Sequence, residues 1–520
     1  MRRLIVSFAL LASLLPAGAA KAAPFTVVNT NSGGDGSLRA AIAGANSLSG
    51  PDTISIDVTG TIELEDALPG IVDDITIFGP GAGSLTVRRK ESAAPFTVLQ
   101  SFGGTTTVSG ITVSGGLAAT GGGILNGSGS DLTLVRVVVT GNEALAESGN
   151  LAGGGGVFNN GSLTVRESSI SGNASTARGG EENTAAGGGI ENEGSLSVEH
   201  STISGNVVQA LAEGGAKAEA VGGGLALVSG SVFIEESTIS GNTVMAAEGA
   251  DFNIARGGGI WGSGLSLIGS TIAANATDTD PSGSIFNDAG GDNLAISFTS
   301  TLRNSIVADP QGEGENCATP ALSAGFNLDE DGSCELGKGT DLVAVIAGLE
   351  PLASNGGPTP THALRENSPA IDRGESFGSD SDQRGLPRPS DFLTISNTEG
   401  GDGADIGAFE LQAPRPPGAG AGVVVVSTIP GDRTPPNTRI VRGPSRVTFK
   451  REAKFRFAST EAQSSFQCKV DRGKWRGCRN PFKRTVSAGR RHLFKVRAID
   501  RFGNVDPTPA RFGWRVKALS

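Results

Sequence analysis

A chain of 520 residues would ordinarily hold several domains, but 79 of them are Gly, about twice the usual share, while charged residues make up 18% and aromatics 5%, with no Tyr. That composition excludes a plain globular enzyme and favours turns and short strands. A hydrophobic content of 37% and a net charge of -11 exclude wholesale disorder, and Gly without a three-residue period excludes collagen.

At the N-terminus Arg2 and Arg3 precede an apolar run from Leu4 to Leu15, then Pro16 and small residues up to Ala22. This reads as a signal peptide over 1–22, cleaved to leave Ala23. A membrane anchor needs about 20 apolar residues and this run has about 12. The longest later run, Val423 to Val426, is far too short to span. No membrane-spanning segment is therefore expected after cleavage, and the protein is expected outside the cell or on its surface. In an oxidising compartment Cys317, Cys334, Cys468 and Cys478 admit three pairings. Two local bridges, Cys317 with Cys334 and Cys468 with Cys478, are the economical choice, since a metal or redox role calls for tighter spacing.

The strongest signal is an internal repeat between about 120 and 276. Apolar residues that follow a Gly run fall at Ile124, Val157, Ile190, Leu225 and Ile260, spaced 33, 33, 35 and 35 residues apart. Each copy closes on Asn142, Asn173, Asn206, Asn242 or Asn275. Within a copy, Ser162 to Val165 and Ser169 to Ser171 alternate apolar with polar at period two, the mark of short strands. Helical solenoids of similar period need long amphipathic helices, which units rich in Gly, Ser, Thr and Val do not supply. Stacked in parallel, the copies place Leu163, Leu196, Val232 and Leu265 in one internal row and Ile170, Ile203, Ile239 and Ile272 in another. The five asparagines are expected to form a structural ladder. Variable stretches such as Ala174 to Ala186 and Val207 to Val221 are expected as loops emerging on one side of the rod.

The copies resemble the right-handed parallel β-helix repeats of bacterial surface proteins, and the GGGI and SGN motifs are similar to the polymorphic outer-membrane protein repeat. That resemblance implies an all-β, right-handed, single-stranded parallel β-helix. Upstream, Asp35 to Ile42, Ala45-Asn46 and Asp52-Thr53-Ile54 resemble the CSLREA-type segment of exported β-helix proteins, with Gly36 in place of its Cys and Ala40 in place of its Glu. There Leu38, Ala41, Ile42 and Ala45 make one face of a short helix, capped by Ser37, that covers the open apolar end. Cap and β-helix together occupy 23–310.

Over 311–411, Gly325-Phe326-Asn327-Leu328, Ser368-Pro369-Ala370-Ile371-Asp372, Asp382-Gln383-Arg384-Gly385 and Asp405-Ile406-Gly407-Ala408-Phe409-Glu410 resemble the choice-of-anchor Q domain. That family implies a C-terminal segment of exported β-helix proteins, followed by an attachment device, with no catalytic residues to carry over. Asp372, Asp382 and Asp405 with Arg384 and Arg388 are expected as ion pairs that lock a loop-rich cap, pinned by the Cys317–Cys334 bridge.

A Pro- and Gly-rich linker spans 412–436. Beyond it the charge reverses: residues 434–520 hold 22 Lys and Arg against 5 Asp and Glu. Phe455-Arg456-Phe457, Phe466 to Val470, Phe494 to Ala498 and Phe512 to Val516 alternate core with cation. Cys468 and Cys478 are symmetric about Gly473, as across a hairpin. Residues 437–520 resemble an immunoglobulin-like or fibronectin type III-like module, which implies a small β-sandwich. Arg456, Lys469, Lys495, Arg497 and Arg515 are its candidate basic face, with an anionic envelope polymer or polysaccharide as partner. Nucleic acid is not expected.

No catalytic set stands out. His200, His362 and His492 are scattered, and paired carboxylates do not recur along a coil face. A polysaccharide lyase or glycoside hydrolase on the same fold is the alternative to a structural, adhesive or interaction role. Acidic turns at Asp329 to Gly332, Asp380 to Asp382 and Asp402 to Asp405 are weak candidates for Ca²⁺. No other cofactor is implied.

Overall fold

Each turn of the repeat is a circuit of five short strands. One such turn runs through Ser162–Arg166, Ser169–Ser171, Ala174–Arg178, Glu182–Ala186 and Ile190–Asn192. Every strand pairs in parallel and in register with its equivalent one turn on. Stacking generates five sheets, numbered 1 to 5 in that order, of 11, 11, 6, 5 and 7 strands. This computed structural model is thus a parallel β-solenoid followed by a small unit of mainly antiparallel sheets. It describes residues 23–147, 151–212, 217–247, 251–279, 286–412, 436–444, 446–448, 450–459, 464–471, 473–478, 482–499 and 505–517. The expected signal peptide and residues 413–435 of the expected linker lie outside the described residues.

Sheets 1, 2 and 5 enclose the main core. The row Leu163, Leu196, Val232, Leu265 faces inward from sheet 1 and the row Ile170, Ile203, Ile239, Ile272 from sheet 2, all buried. Each such side chain contributes roughly 1.5–3 kcal/mol on leaving water, so the column is the main stabilising element.

The stretches expected as loops are strands. Ala174–Arg178 and Val207–Leu211 belong to sheet 3, Glu182–Ala186 and Lys217–Val221 to sheet 4. The two sheets pack through a thin second core of Ala144, Ala177, Ala185, Val208, Ala210, Ala218, Ala220, Val244 and Ala255. Alternate alanines let the sheets approach closely, and pairing with the turns above and below satisfies the backbone. The result is a fin along one side of the solenoid.

The Gly runs form the neck where the chain leaves the fin. Gly154 takes φ +67° and Gly187 φ +57°, a region closed to most side chains. A Cβ on Gly155 would lie 2.1 Å from the Ala174 carbonyl oxygen and 2.6 Å from that of Gly188. Only glycine admits both passes of the chain.

Both ends of the main core are covered. Leu38–Asn46, the one helix among the described residues, is capped by Ser37, whose side chain accepts from the Ala40 amide; it buries Leu38, Ala41, Ile42 and Ala45. At the other end Cys317 is bridged to Cys334, and both pack into the core with Ala321 and Leu336. The rest of the expected cap, 345–411, lies along the outer face of sheet 2, with a small core of its own around Leu364, Ile371, Ile406 and Phe409.

In the C-terminal unit Thr438–Arg442, Glu452–Ser459 and Phe482–Thr485 form a three-stranded sheet. Val447–Thr448, Ala510–Val516, Arg491–Ile499, Ser465–Val470 and Arg476–Gly477 form a five-stranded one. Phe455 stacks on Phe494 with ring centroids 4.0 Å apart, Trp514 closes the core, and Cys468 is bridged to Cys478. Among the described residues no helix is long and apolar enough to cross a membrane.

Gly155→Ala is expected to lower unfolding stability by about 1–3 kcal/mol or more, since its neighbours are backbone atoms that cannot yield. Gly83→Ala, with open space around its Cβ, is expected to stay within about 0.5 kcal/mol of wild type. Denaturant midpoints of the two variants check this, and equal midpoints would refute the neck's role.

Candidate functional site

The repeat asparagines are occupied by one another. Asn142 donates its side-chain amide to Asn173 Oδ1 at 2.9 Å, Asn173 to Asn206 at 3.0 Å, Asn206 to Asn242 at 2.9 Å and Asn242 to Asn275 at 2.8 Å. The chain of bonds continues through Asn293 and Asn316, at 2.7 Å each. Those two escape a search for the SGN motif because they sit in Gly-Asp-Asn and Glu-Asn-Cys. With every amide buried and bonded, this line has no group left for chemistry.

A second buried polar set forms where residues 345–411 cross sheet 2. Thr202 Oγ1 donates to the Pro360 carbonyl at 2.6 Å, Thr238 Oγ1 to Gln383 Oε1 at 2.6 Å, and the Ala408 amide to Thr271 Oγ1 at 3.0 Å. Arg384 pairs with Asp382 at 2.7 Å, while Arg388 lies between Glu236 at 2.6 Å and Glu410 at 2.9 Å, all buried. Asp372 and Asp405, expected in ion pairs, instead accept backbone amides: Asp372 from Phe392, Asp405 from Asp372 and Leu411. These amides come from other segments of the strap, 6 to 33 residues away, and they take the place of arginine. Glu236 was invisible as a partner because it lies 152 residues from Arg388. Burial, with the charge of Glu410 close by, pushes the Asp405 carboxyl up to about 8. Salt bridges this deep hold position, and removing one partner is more costly than the pair is stabilising.

Two of the three histidines are likewise engaged. His362 Nδ1 donates to the Glu350 carbonyl at 2.7 Å, so Nε2 accepts from Ser240 at 2.8 Å; burial holds the ring below its usual pKa. Both His492 nitrogens are bonded, to Asp471 and to the Ser487 carbonyl, at 2.8 Å each. In the acidic turns Asp329 accepts from the Cys334 amide, Asp331 from Asn316 and Ser333, and Asp402 from Ser376. Among the described residues no three His, Cys, Asp or Glu side chains are grouped to hold a metal ion.

The basic residues of the C-terminal unit do converge. Lys469 lies opposite Lys495, and Lys495 opposite Arg511, so three cations form one row across three strands. Arg497 and Arg515 share this outer face, Arg515 opposite Arg491. Trp475 lies under both Lys469 and Arg497, with the charges 4.7 Å and 4.6 Å from its ring centroid. The Arg456 side chain lies outside the described residues. Like charges directly opposite are unfavourable, and an exposed sheet built this way is a site for anions. Trp475 carried no periodic signal, since it sits in the turn between two strands.

One further group stands out. On the outer face of sheet 5, Phe158, Glu191, Ala226, Trp261 and Ala295 follow one another on successive turns. Glu191 is 2% exposed, and its Oε2 is buried without a hydrogen-bond partner. It occupies the space left by Gly153, where a Cβ would lie 1.5 Å from Oε2. Burial, with the charge of Glu193 adding, pushes this carboxyl up to about 8. No family model matches the chain, and no curated protein matches it.

A carboxyl held above its ordinary 4.5 stabilises the folded chain below that value, and the contribution is lost as pH rises toward about 8. Glu191→Gln is therefore expected to remove a decline on the order of 2–4 kcal/mol between mildly acidic and mildly basic pH. Denaturant midpoints across that range test it, and an unchanged pH slope in the variant would count against it.

Proposed function

We propose that this is an exported protein of the cell surface, in which the β-solenoid is a scaffold for interactions and the basic C-terminal unit attaches it to an anionic envelope polymer. The observation that carries this reading is the row Lys469, Lys495, Arg511, which sets like charges side by side on an exposed sheet. Like charges directly opposite one another are unfavourable to the fold, and a polyanion with closely spaced charges neutralises them. The choice-of-anchor Q resemblance over 311–411 supports the same reading, since that family implies an attachment device in the position this unit occupies. Two disulfides and the signal-peptide pattern fit an oxidising compartment. Arg497 and Lys469 over Trp475 add a platform on which a polymer backbone can lie against cation and ring together.

Retention on isolated cell envelopes is the test. Wild-type protein is expected to bind at low salt and to be released as ionic strength rises toward about 1 M, where the screening length shrinks to about 3 Å. A K469E/K495E/R511E variant is expected to lose most of the retention at low salt. Equal retention of variant and wild type, or retention indifferent to salt, would refute the assignment.

A further inference from the structure

The fin ends abruptly, and its end opens a cleft. Sheets 3 and 4 stop at Ala276–Thr279 and Phe286–Gly290; the next turn, from Ala308 to Asn316, adds no strand to the fin, although its Gln311 and Glu313 amides donate to the Asn275 and Thr277 carbonyls. Between the last strand of sheet 4, the outer face of sheet 5 and the stretch Glu313–Thr319 lies a cleft of about 470 Å³. Its lining includes the small residues Gly290, Gly291 and Ala295 together with the ring of Trp261. Trp261 is held from behind by Ala186, Val221 and Ala226. At the rim stand the ion pair of Arg256 with Asp288, and the exposed Glu313 and Glu315.

The same fin surface carries a second aromatic station. Phe252 and Phe286 lie side by side on the last two strands of sheet 4, ring centroids 6.2 Å apart, 46% and 48% exposed. Along those strands Phe252, Ile254 and Arg256 point outward, as do Phe286, Asp288 and Gly290. At roughly 3.3 Å per residue, Phe252 stands about 13 Å from Arg256, the span of about three pyranose rings. In a chain with 5% aromatics, this places ring faces at both ends of one short surface and charged hydrogen-bonding groups between them.

We propose that this surface binds an oligosaccharide that is uncharged or bears amino groups. Sugar rings present a C–H face that lies on an aromatic ring and an edge of hydroxyls that bond carboxylate and guanidinium together. A lining of small residues beside one aromatic ring leaves room for a sugar ring against Trp261. Asp288, Glu313 and Glu315 outnumber Arg256, so an anionic glycan is repelled, and the site is distinct in chemistry from the basic C-terminal sheet.

The test titrates the full chain with hexamers of glucose, N-acetylglucosamine, glucosamine and galacturonic acid, by calorimetry and tryptophan fluorescence. At least one of the first three is expected to bind, and the galacturonic acid hexamer is not. Trp261→Ala is expected to weaken binding about tenfold or more, the loss of one good ring contact. Ala295→Arg fills the cleft without removing any packing and is expected to weaken it as much. K469E/K495E/R511E is expected to leave it unchanged, which separates this site from envelope attachment. The proposal falls if none of the first three hexamers binds, if binding is indifferent to Ala295→Arg, or if the cleft takes only galacturonic acid or only peptides.

Discussion

In-register parallel stacking places each residue on its own counterpart, about 4.8 Å away, on turn after turn. Every other feature of the solenoid answers to that spacing. A residue type survives in a row only if it tolerates a copy of itself above and below. Leucine and isoleucine do so by packing, and asparagine by donating upward what it accepts from below. Alanine does so in the fin, where two sheets close over side chains too small to clash. Charge does so best by alternating sign: Arg136 meets Glu167 at 2.6 Å and Arg166 meets Glu199 at 2.7 Å.

The places where that rule is broken are the informative ones. The outer row of sheet 5 runs Gln, Leu, Phe, Glu, Ala, Trp, Ala, seven positions with almost no likeness between neighbours. Within it sits a carboxyl without a partner, and beside it the cleft. Identical stacking yields a uniform surface; a binding surface needs local difference, and this row has it. The C-terminal unit breaks a related rule by setting cation against cation across antiparallel strands. Both departures run against what repetition and strand pairing favour, which is the reason to look outside the fold for their use.

Residues 345–411 show how a solenoid acquires long-range specificity. The outer face of sheet 2 offers Thr202, Thr238 and Thr271 as a line of hydroxyls, and a strap without regular strands satisfies them one by one. Arg388 then fixes the register of strap on sheet through Glu236, a turn residue held at φ +44°. A buried guanidinium between two carboxylates tolerates no sliding, because a shift would leave a charge unpaired. The strap is thereby tied to one place on a surface that otherwise repeats.

The solenoid, its period, its inward rows and the helix that covers its end were legible in the sequence, because self-stacking writes the same pattern into every copy. The two bridges followed from spacing, and the alternation of Lys469, Lys495, Arg497 and Arg515 with core positions from period two, whereas Arg511 was not singled out and joins the row only through strand pairing. The fin was not legible: Ala177, Ala210 and Ala246 read as bias in composition, and only the facing sheet shows that alternate alanines are a core. Nor were Glu236 with Arg388, or Trp261 with Arg256 and Asp288 around one cleft. Those pairings depend on which turns lie beside one another and where the fin stops. Local periodicity carries strand, face and register, whereas contacts between separate pieces of chain exist only once the turns are stacked.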